Sequence, residues 1–305
     1  MYVLCCVLIH RRPEMTKSKL AKKQTLAERA MLVDFTVSTF DGRKKDKGLT
    51  EEVITEKKAE QDTGAWWTRT IPASALRGIN TQVNAARTAN EQMTLPWLDS
   101  GFRILPATMF LNYTTKMREI EQEYKKAVAS FLHEEYPEII KRAKERLGDL
   151  FNTDYFPSAE MLENKFRWQI RIMPLPEAED FRVDLGNEAV QQIQQEIEAE
   201  VSSVSEAAVR AIWQRLYKVV EHVAERLGDD KNIFRDSLFT NVQELCNLLP
   251  KLNIWDDPEL TKMSKEIAQR IAKQSTTEIR SNKETRKEVA NAATDILKRM
   301  AGYCS

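Results

Sequence analysis

A chain of 305 residues with 42% hydrophobic content is long enough to bury a real core, in one large domain or two ordinary ones. Lys plus Arg and Asp plus Glu both number 46, so the formal net charge is zero and any basic surface must be local. Nine scattered glycines argue against Gly-rich phosphate loops and against a sheet-dominated fold with many tight turns.

The opening MYVLCCVLIHRRPEM has an apolar run over 2–9, but its basic residues follow that run, the wrong order for a secretory signal. Nothing else approaches the roughly 20 apolar residues that span a bilayer, so no membrane is expected. Met15 is the expected initiator, and 1–31 reads as a leader and basic N-terminal segment. Cys5, Cys6, Cys246 and Cys304 show no metal-knuckle or CxxC spacing, which implies a reducing cytoplasm.

The first strand is predicted at 32–40, rich in β-branched and aromatic residues and closing on the turn signal Asp41-Gly42. A basic loop, 43–48, and a charged segment to Asp62 follow. Leu76, Ile79, Val83, Ala86 and Met93 predict a helix over 73–93, ended by Pro96. A short extended piece, 102–105, precedes Pro106. Phe110, Tyr113, Met117, Ile120, Tyr124, Ala127 and Phe131 then alternate by three and four, the seam of a long helix over 107–136. Pro137 interrupts that seam, and a further turn or two reaches Gly148.

KFRWQIRIMPLP, 165–176, is different: Phe166, Trp168, Ile170 and Ile172 alternate with Arg167, Gln169 and Arg171, the period of a strand with one dry face. A short extended piece over 181–183 follows, and then a second long helix from Asn187 to Leu227, stopped by Gly228. Two long helices with one apolar stripe each cover one another most economically as an antiparallel hairpin. The strands at 32–40 and 166–173 cannot satisfy their backbones alone and are expected to pair. Asn232 is expected to cap a helix over 233–249, and Asp257 before Pro258 a helix to about Lys273. Residues 274–305 read as a polar tail with a short amphipathic helix near its end. The fold expected is therefore mainly α, a coiled-coil-like helical hairpin with a small β-sheet, in one domain over 32–273.

Little chemistry is legible. His10, His133 and His222 have no metal-ligand neighbours, no nucleotide or nucleophile motif is present, and the Asp256-Asp257 pair is explained by capping. No catalytic residue, metal or cofactor is assigned, and a non-enzymatic protein is expected. Two features suit nucleic acid: the basic run Arg43, Lys44, Lys45 and Lys47, and the pair Trp66 and Trp67 followed by Arg69 and Arg77. Aromatics beside cations stack bases and contact phosphates. The plainer reading is a solvated loop and two core-filling tryptophans, and the zero net charge favours it. Arg167 and Arg171, with Arg182 nearby, form a third candidate, for which pairing with helical carboxylates is the simpler reading.

The order of features, a strand ending FDGRKKDKGLT, a long charged helix, FRWQIRIMPLP and a second long helix, resembles a phage and bacterial family of uncharacterised proteins. That family is often encoded beside a MoxR-type AAA+ ATPase and a von Willebrand A-domain protein. The resemblance covers about 30–265 and is most specific at FRDSL (234–238), LLPKLN (248–253) and DDPEL (256–260). It implies a protein partner, a MoxR-type AAA+ ATPase, and offers no catalytic residue. The function expected is an interaction protein of a bacterium or bacteriophage, an adaptor or substrate of such an ATPase. The alternative is a DNA- or RNA-binding protein of phage replication or recombination using the basic loop and the Trp pair. A heptad seam can be filled within one chain or between copies, so a homo-oligomer stays open.

Overall fold

The computed structural model describes residues 25–98, 101–181, 183, 186–229 and 232–304. The expectations for the leader, Met15, His10, Cys5 and Cys6, fall outside the described residues, as does Arg182.

A capping box between Thr25 and Glu28 opens one helical turn, α1 (Leu26–Arg29), which feeds β1 (Ala30–Val37). Then come β2 (Arg43–Asp46), α2 (Lys47–Lys57), β3 (Trp66–Arg69), α3 (Arg77–Met93), β4 (Leu95–Pro96) and β5 (Phe102–Pro106). A rod of α4 (Phe110–Ser130), a π-helical turn and α5 (Tyr136–Leu147) follows, then α6 (Ala159–Glu163) and β6 (Trp168–Pro174). The remainder is helical: α7 (Asn187–Gly228), α8 (Ser237–Leu252), α9 (Pro258–Ile267), α10 (Thr276–Ser281) and α11 (Lys283–Met300).

The chain is mainly α with a small antiparallel sheet, and the two sequence-distant strands do pair: Val33 stands opposite Ile172, Phe35 opposite Ile170 and Val37 opposite Trp168. The sheet runs β4-β5-β1-β6, so β1 is central and β5 fills its other edge. Val33, Phe35, Leu105 and Ile170 pack against Ala86, Met109, Tyr113 and Met117 of the α3–α4 layer. Leu32, Ile104 and Leu95 face the opposite way, onto Ile212 and Leu216 of α7. Alternation along the central strand thus makes the sheet a joint between two helical layers. Its outer strand β6 is drier in pattern than in fact, since Ile172 remains 42% exposed.

The helical hairpin takes a form other than the one expected. The two long helices do not serve as each other's main cover. α4 packs chiefly on α3 and α7 on α11, both antiparallel: Tyr113 bonds Asn90 and Ala127 lies by Gly78, while Arg286 reaches Leu227 and Tyr303 stacks on Trp213. An apolar stripe states that a partner exists and leaves its identity open; two shorter amphipathic helices fit these stripes.

Other expectations are corrected. Residues 43–46 are a strand rather than a loop. Pro137 leaves the rod unbroken, because the π turn Phe131–Glu135 widens the backbone before it and the proline falls in the first turn of α5, where its missing N–H costs little. Asn232 does not cap α8, which starts five residues later, and instead donates its side-chain amide to the Glu225 carbonyl of α7 at 3.2 Å; Ile233 is 89% exposed. Asp257 does cap α9, accepting from the Glu259 and Leu260 amides at 2.9 and 3.2 Å. The polar segment after Lys273 is a built part of the core: α11 buries Val289, Ala293, Ile296 and Met300 in the same cluster as α7 and α8.

Candidate functional site

β2 and β3 form a separate two-stranded ribbon, and this ribbon unites the two features that suit nucleic acid. Arg43 stands opposite Arg69, Lys44 opposite Thr68, Lys45 opposite Trp67 and Asp46 opposite Trp66. Directly opposed residues share a face and successive residues alternate. One face therefore carries Arg43, Lys45, Trp67 and Arg69, three cations around an indole. The other carries Lys44, Asp46, Trp66 and the buried Thr68. Trp66 and Trp67 are 45% and 55% exposed, so neither is a core-filling residue.

The ribbon is held at both ends. At its base, Gly42 adopts φ +68°, and its carbonyl accepts the amides of Thr70 and Ile71 at 2.9 and 3.1 Å and the Thr70 hydroxyl at 3.1 Å. Arg146 at the end of α5 donates to the carbonyls of Arg69, at 3.0 Å, and Thr70. At the far end, Asp46 caps α2 through the Leu49 amide, and the Thr50 hydroxyl donates to the Asp46 carbonyl while accepting from the Trp66 amide at 2.9 Å. Lys47 is the first residue of α2, exposed beside this junction, and Arg77 opens α3.

Behind the ribbon lies an open groove of about 720 Å³. Arg43 and Lys44 line one wall; Lys165 and Arg167, from the turn between α6 and β6, line the other. Phe40, Tyr155 and Met161 supply apolar surface, and Asp41 and Asp154 are the carboxylates, so the groove carries four cations against two acids. Burial and a hydrogen bond to Asp46 hold the Tyr155 hydroxyl above its usual range. The far wall is fixed by Ser38, whose hydroxyl donates to the Lys165 carbonyl at 2.8 Å and accepts the Arg167 amide at 3.1 Å. Tyr124 donates to the Ser38 carbonyl and Tyr136 to that of Pro157, and burial pushes both phenols up to about 12, so they remain neutral donors at physiological pH. The Arg167 guanidinium spends one N–H on the Asn164 carbonyl at 3.2 Å, which orients the remainder.

Arg171 belongs elsewhere. It faces Asp34 directly across β1–β6, and the pair is made with a strand carboxylate rather than a helical one. Of the described histidines, His133 is exposed in the π turn, and His222 lies 4.0 Å from Glu225 on its own helix. Among the described residues there is no group of three or more His, Cys, Asp or Glu that could hold a metal ion, and no helix long and apolar enough to cross a membrane.

The grouping of Arg43, Lys44, Lys45, Trp66, Trp67 and Arg69 with Arg167 is a product of folding. Lys165, Tyr155 and Phe40 had no signal of their own; Lys165 stands at the head of the alternating strand motif but outside its period. Comparison with protein-family models, with curated proteins and with solved structures yields no match.

Proposed function

We propose that the protein binds nucleic acid through the β2–β3 ribbon and the groove behind it. The observation that carries this reading is the convergence of Arg43 and Lys44 with Lys165 and Arg167, from distant segments, in a groove beside a ribbon that exposes two tryptophans. Phosphates supply sequence-independent affinity to such cations, and exposed indoles supply stacking. The zero net charge of the chain does not oppose it, because charge acts locally and the ribbon carries Arg43, Lys44, Lys45 and Arg69 against a single carboxylate, Asp46. Binding to labelled DNA or RNA at about 50 and 200 mM salt tests it: affinity should fall steeply with salt, and exchanging Lys44 and Lys45 for Gln should weaken binding and flatten that slope. Undetectable binding at the lower salt would remove the reading.

The adaptor reading retains one observation of its own. The first turns of α7 leave Val190, Ile193, Ile197 and Val201 only half covered, whereas Val204 onward is buried. An amphipathic helix of a protein partner would complete that stripe. In this reading the protein acts in the cytoplasm of a bacterial or phage-infected cell as an adaptor of a MoxR-type ATPase. Co-purification with a neighbouring ATPase gene product, with and without ATP, tests it; association in neither condition counts against it.

A further inference from the structure

We infer that the nucleic acid taken by this site is single-stranded, with one base stacked on Trp67 and another nucleotide of the same strand lowered into the groove behind the ribbon. Single-strand selectivity presupposes the nucleic-acid reading and deepens it.

A two-stranded ribbon has a second use, since the duplex major groove admits one. A ribbon working in that way places side chains with paired donors and acceptors at its centre, where they meet base edges. Here the outward face is centred on the Lys45–Trp67 pair. An indole offers a π face and a single N–H donor. Inside a duplex each base face is covered by its neighbours, so the ring would lose water without gaining a stacking partner. In a single strand those faces are open, and every base has one. Lys45 and Arg69 lie beside the ring on the same face, where cations can meet the phosphates that flank a stacked base.

The groove adds a second, independent constraint. Its volume of about 720 Å³ falls in the range of sites that enclose a small organic ligand. Its lining is mixed, with Phe40 and Tyr155 available to a base face and Arg43, Lys44, Lys165 and Arg167 to phosphate. Asp41 and Asp154 would repel a phosphate but accept from the exocyclic amino group of a base, as carboxylates do from cytosine. A duplex cannot lower a base into such a groove without unpairing it, whereas a single strand can do so freely. Lys44 connects the two parts, because it lies on the inner face of the same strand that carries Lys45 outward.

The test uses the full chain and three labelled probes of about 12 nucleotides, a length within the usual single-strand site sizes. These are oligo(dC), oligo(rC) and a duplex, each titrated by fluorescence anisotropy at two salt concentrations. Either single strand should bind at least about tenfold more tightly than the duplex, the ratio of the two showing whether DNA or RNA is preferred. Trp67→Ala should weaken single-strand binding about tenfold and Trp67→Phe should restore most of it, because a phenyl ring still stacks. Lys165→Gln with Arg167→Gln should lower the single-strand salt slope by about 0.7 for each phosphate that is no longer neutralised. Trp67, Lys165 and Arg167 are exposed, so these variants should keep the wild-type circular dichroism spectrum. A duplex bound as tightly as the single strands, or Trp67→Phe as weak as Trp67→Ala, would overturn single-strand selectivity while leaving the nucleic-acid reading intact. No binding of any probe would overturn both.

Discussion

Gly42 and Ile71 approach so closely that a Cβ on the glycine would stand 2.7 Å from the Cβ of Ile71 and 3.1 Å from its carbonyl oxygen. This close approach seals the base of the ribbon, and the obstructing atoms belong to the backbone and the root of a buried side chain, which cannot swing away. The positive φ of Gly42 adds a second penalty for any side chain. Gly42→Ala should therefore cost about 2–4 kcal/mol, from left-handed strain and overpacking together. Urea unfolding measures the loss, and amide exchange should locate it: Thr70 and Ile71, whose amides the Gly42 carbonyl accepts, should lose protection first. Unchanged protection at both would show that the ribbon base tolerates the side chain.

Asp34 and Arg171 form an asymmetric pair. The carboxylate is buried, with the residue 8% exposed, while the arginine side chain is 56% exposed. Removing Arg171 takes the charged partner from a buried carboxylate that keeps a long contact from the Thr36 hydroxyl, at 3.5 Å, whereas removing Asp34 leaves a guanidinium that water can serve. Arg171→Ala should thus cost about 2–3 kcal/mol and Asp34→Ala nearer 1 kcal/mol, the reverse of what exposure alone suggests. Denaturant midpoints of the two variants and of the double variant decide it. Equal losses would mean that Asp34 is better hydrated than its burial implies.

Periodicity reveals which faces are dry, and it does so accurately for β1, α4 and most of α7. The same information leads to the pairing of β1 with β6, because an isolated strand has few ways to satisfy its backbone. It cannot say which stripe covers which. Ile79, Val83 and Ala86 on α3 fit the α4 seam as well as α7 would have done, and only three-dimensional fit separates the choices. The site is legible as parts: Arg43–Lys47 and Trp66–Arg69 each stand out, but nothing in one dimension shows that Lys45 and Trp67 are cross-strand neighbours. The C-terminal segment defeats pattern reading for a specific reason. QSTTEIRSNKETRKE looks solvated because its buried groups are a single isoleucine, Ile279, and a charge, Arg286, and a hydrophobicity pattern treats arginine as surface.

Glu266 shows how that C-terminal layer responds to acid. It receives hydrogen bonds from Arg299 at 2.5 Å and Arg270 at 2.9 Å, joining α9 to α11, and those donors hold its carboxyl below the usual value. An acid whose folded pKa is depressed contributes stability that is complete above its unfolded pKa and is lost as pH falls through the folded one. The contribution should therefore be constant at neutral pH and begin to fall only below about pH 4.5. Partial exposure limits its size to about 0.5–1 kcal/mol. Wild type should exceed Glu266→Gln by that margin at pH 7, and the two unfolding curves should draw together as the carboxyl is protonated in acid. A gap that persists at low pH would assign the loss to packing instead.

Arg286 is the charge that makes the polar tail part of the core. It is 8% exposed and donates to the carbonyls of Leu227, Arg226, Asp229 and Asn232 at 3.3, 2.9, 2.6 and 2.9 Å, with its guanidinium 5.5 Å from the centre of the Phe234 ring. The first three are the carbonyls at the end of the 42-residue α7, which lack helical partners and sit at the negative end of the helix dipole, and Asn232 belongs to the segment that follows. One side chain therefore terminates α7, fixes the turn to α8 and docks the start of α11. Arg286→Met keeps much of the stem but leaves those oxygens without a donor, and should cost about 3 kcal/mol. Arg286→Lys should recover less than half of that, because a point-like ammonium cannot span the set of acceptors that a planar fork does. The stack of Trp213 on Tyr303, 4.3 Å between ring centres, lies at the other end of the α7–α11 interface and offers a reporter. If Arg286 anchors α11, indole fluorescence and urea stability should change together in Arg286→Met. A drop in stability with the Trp213 signal intact would confine its role to the α7–α8 turn.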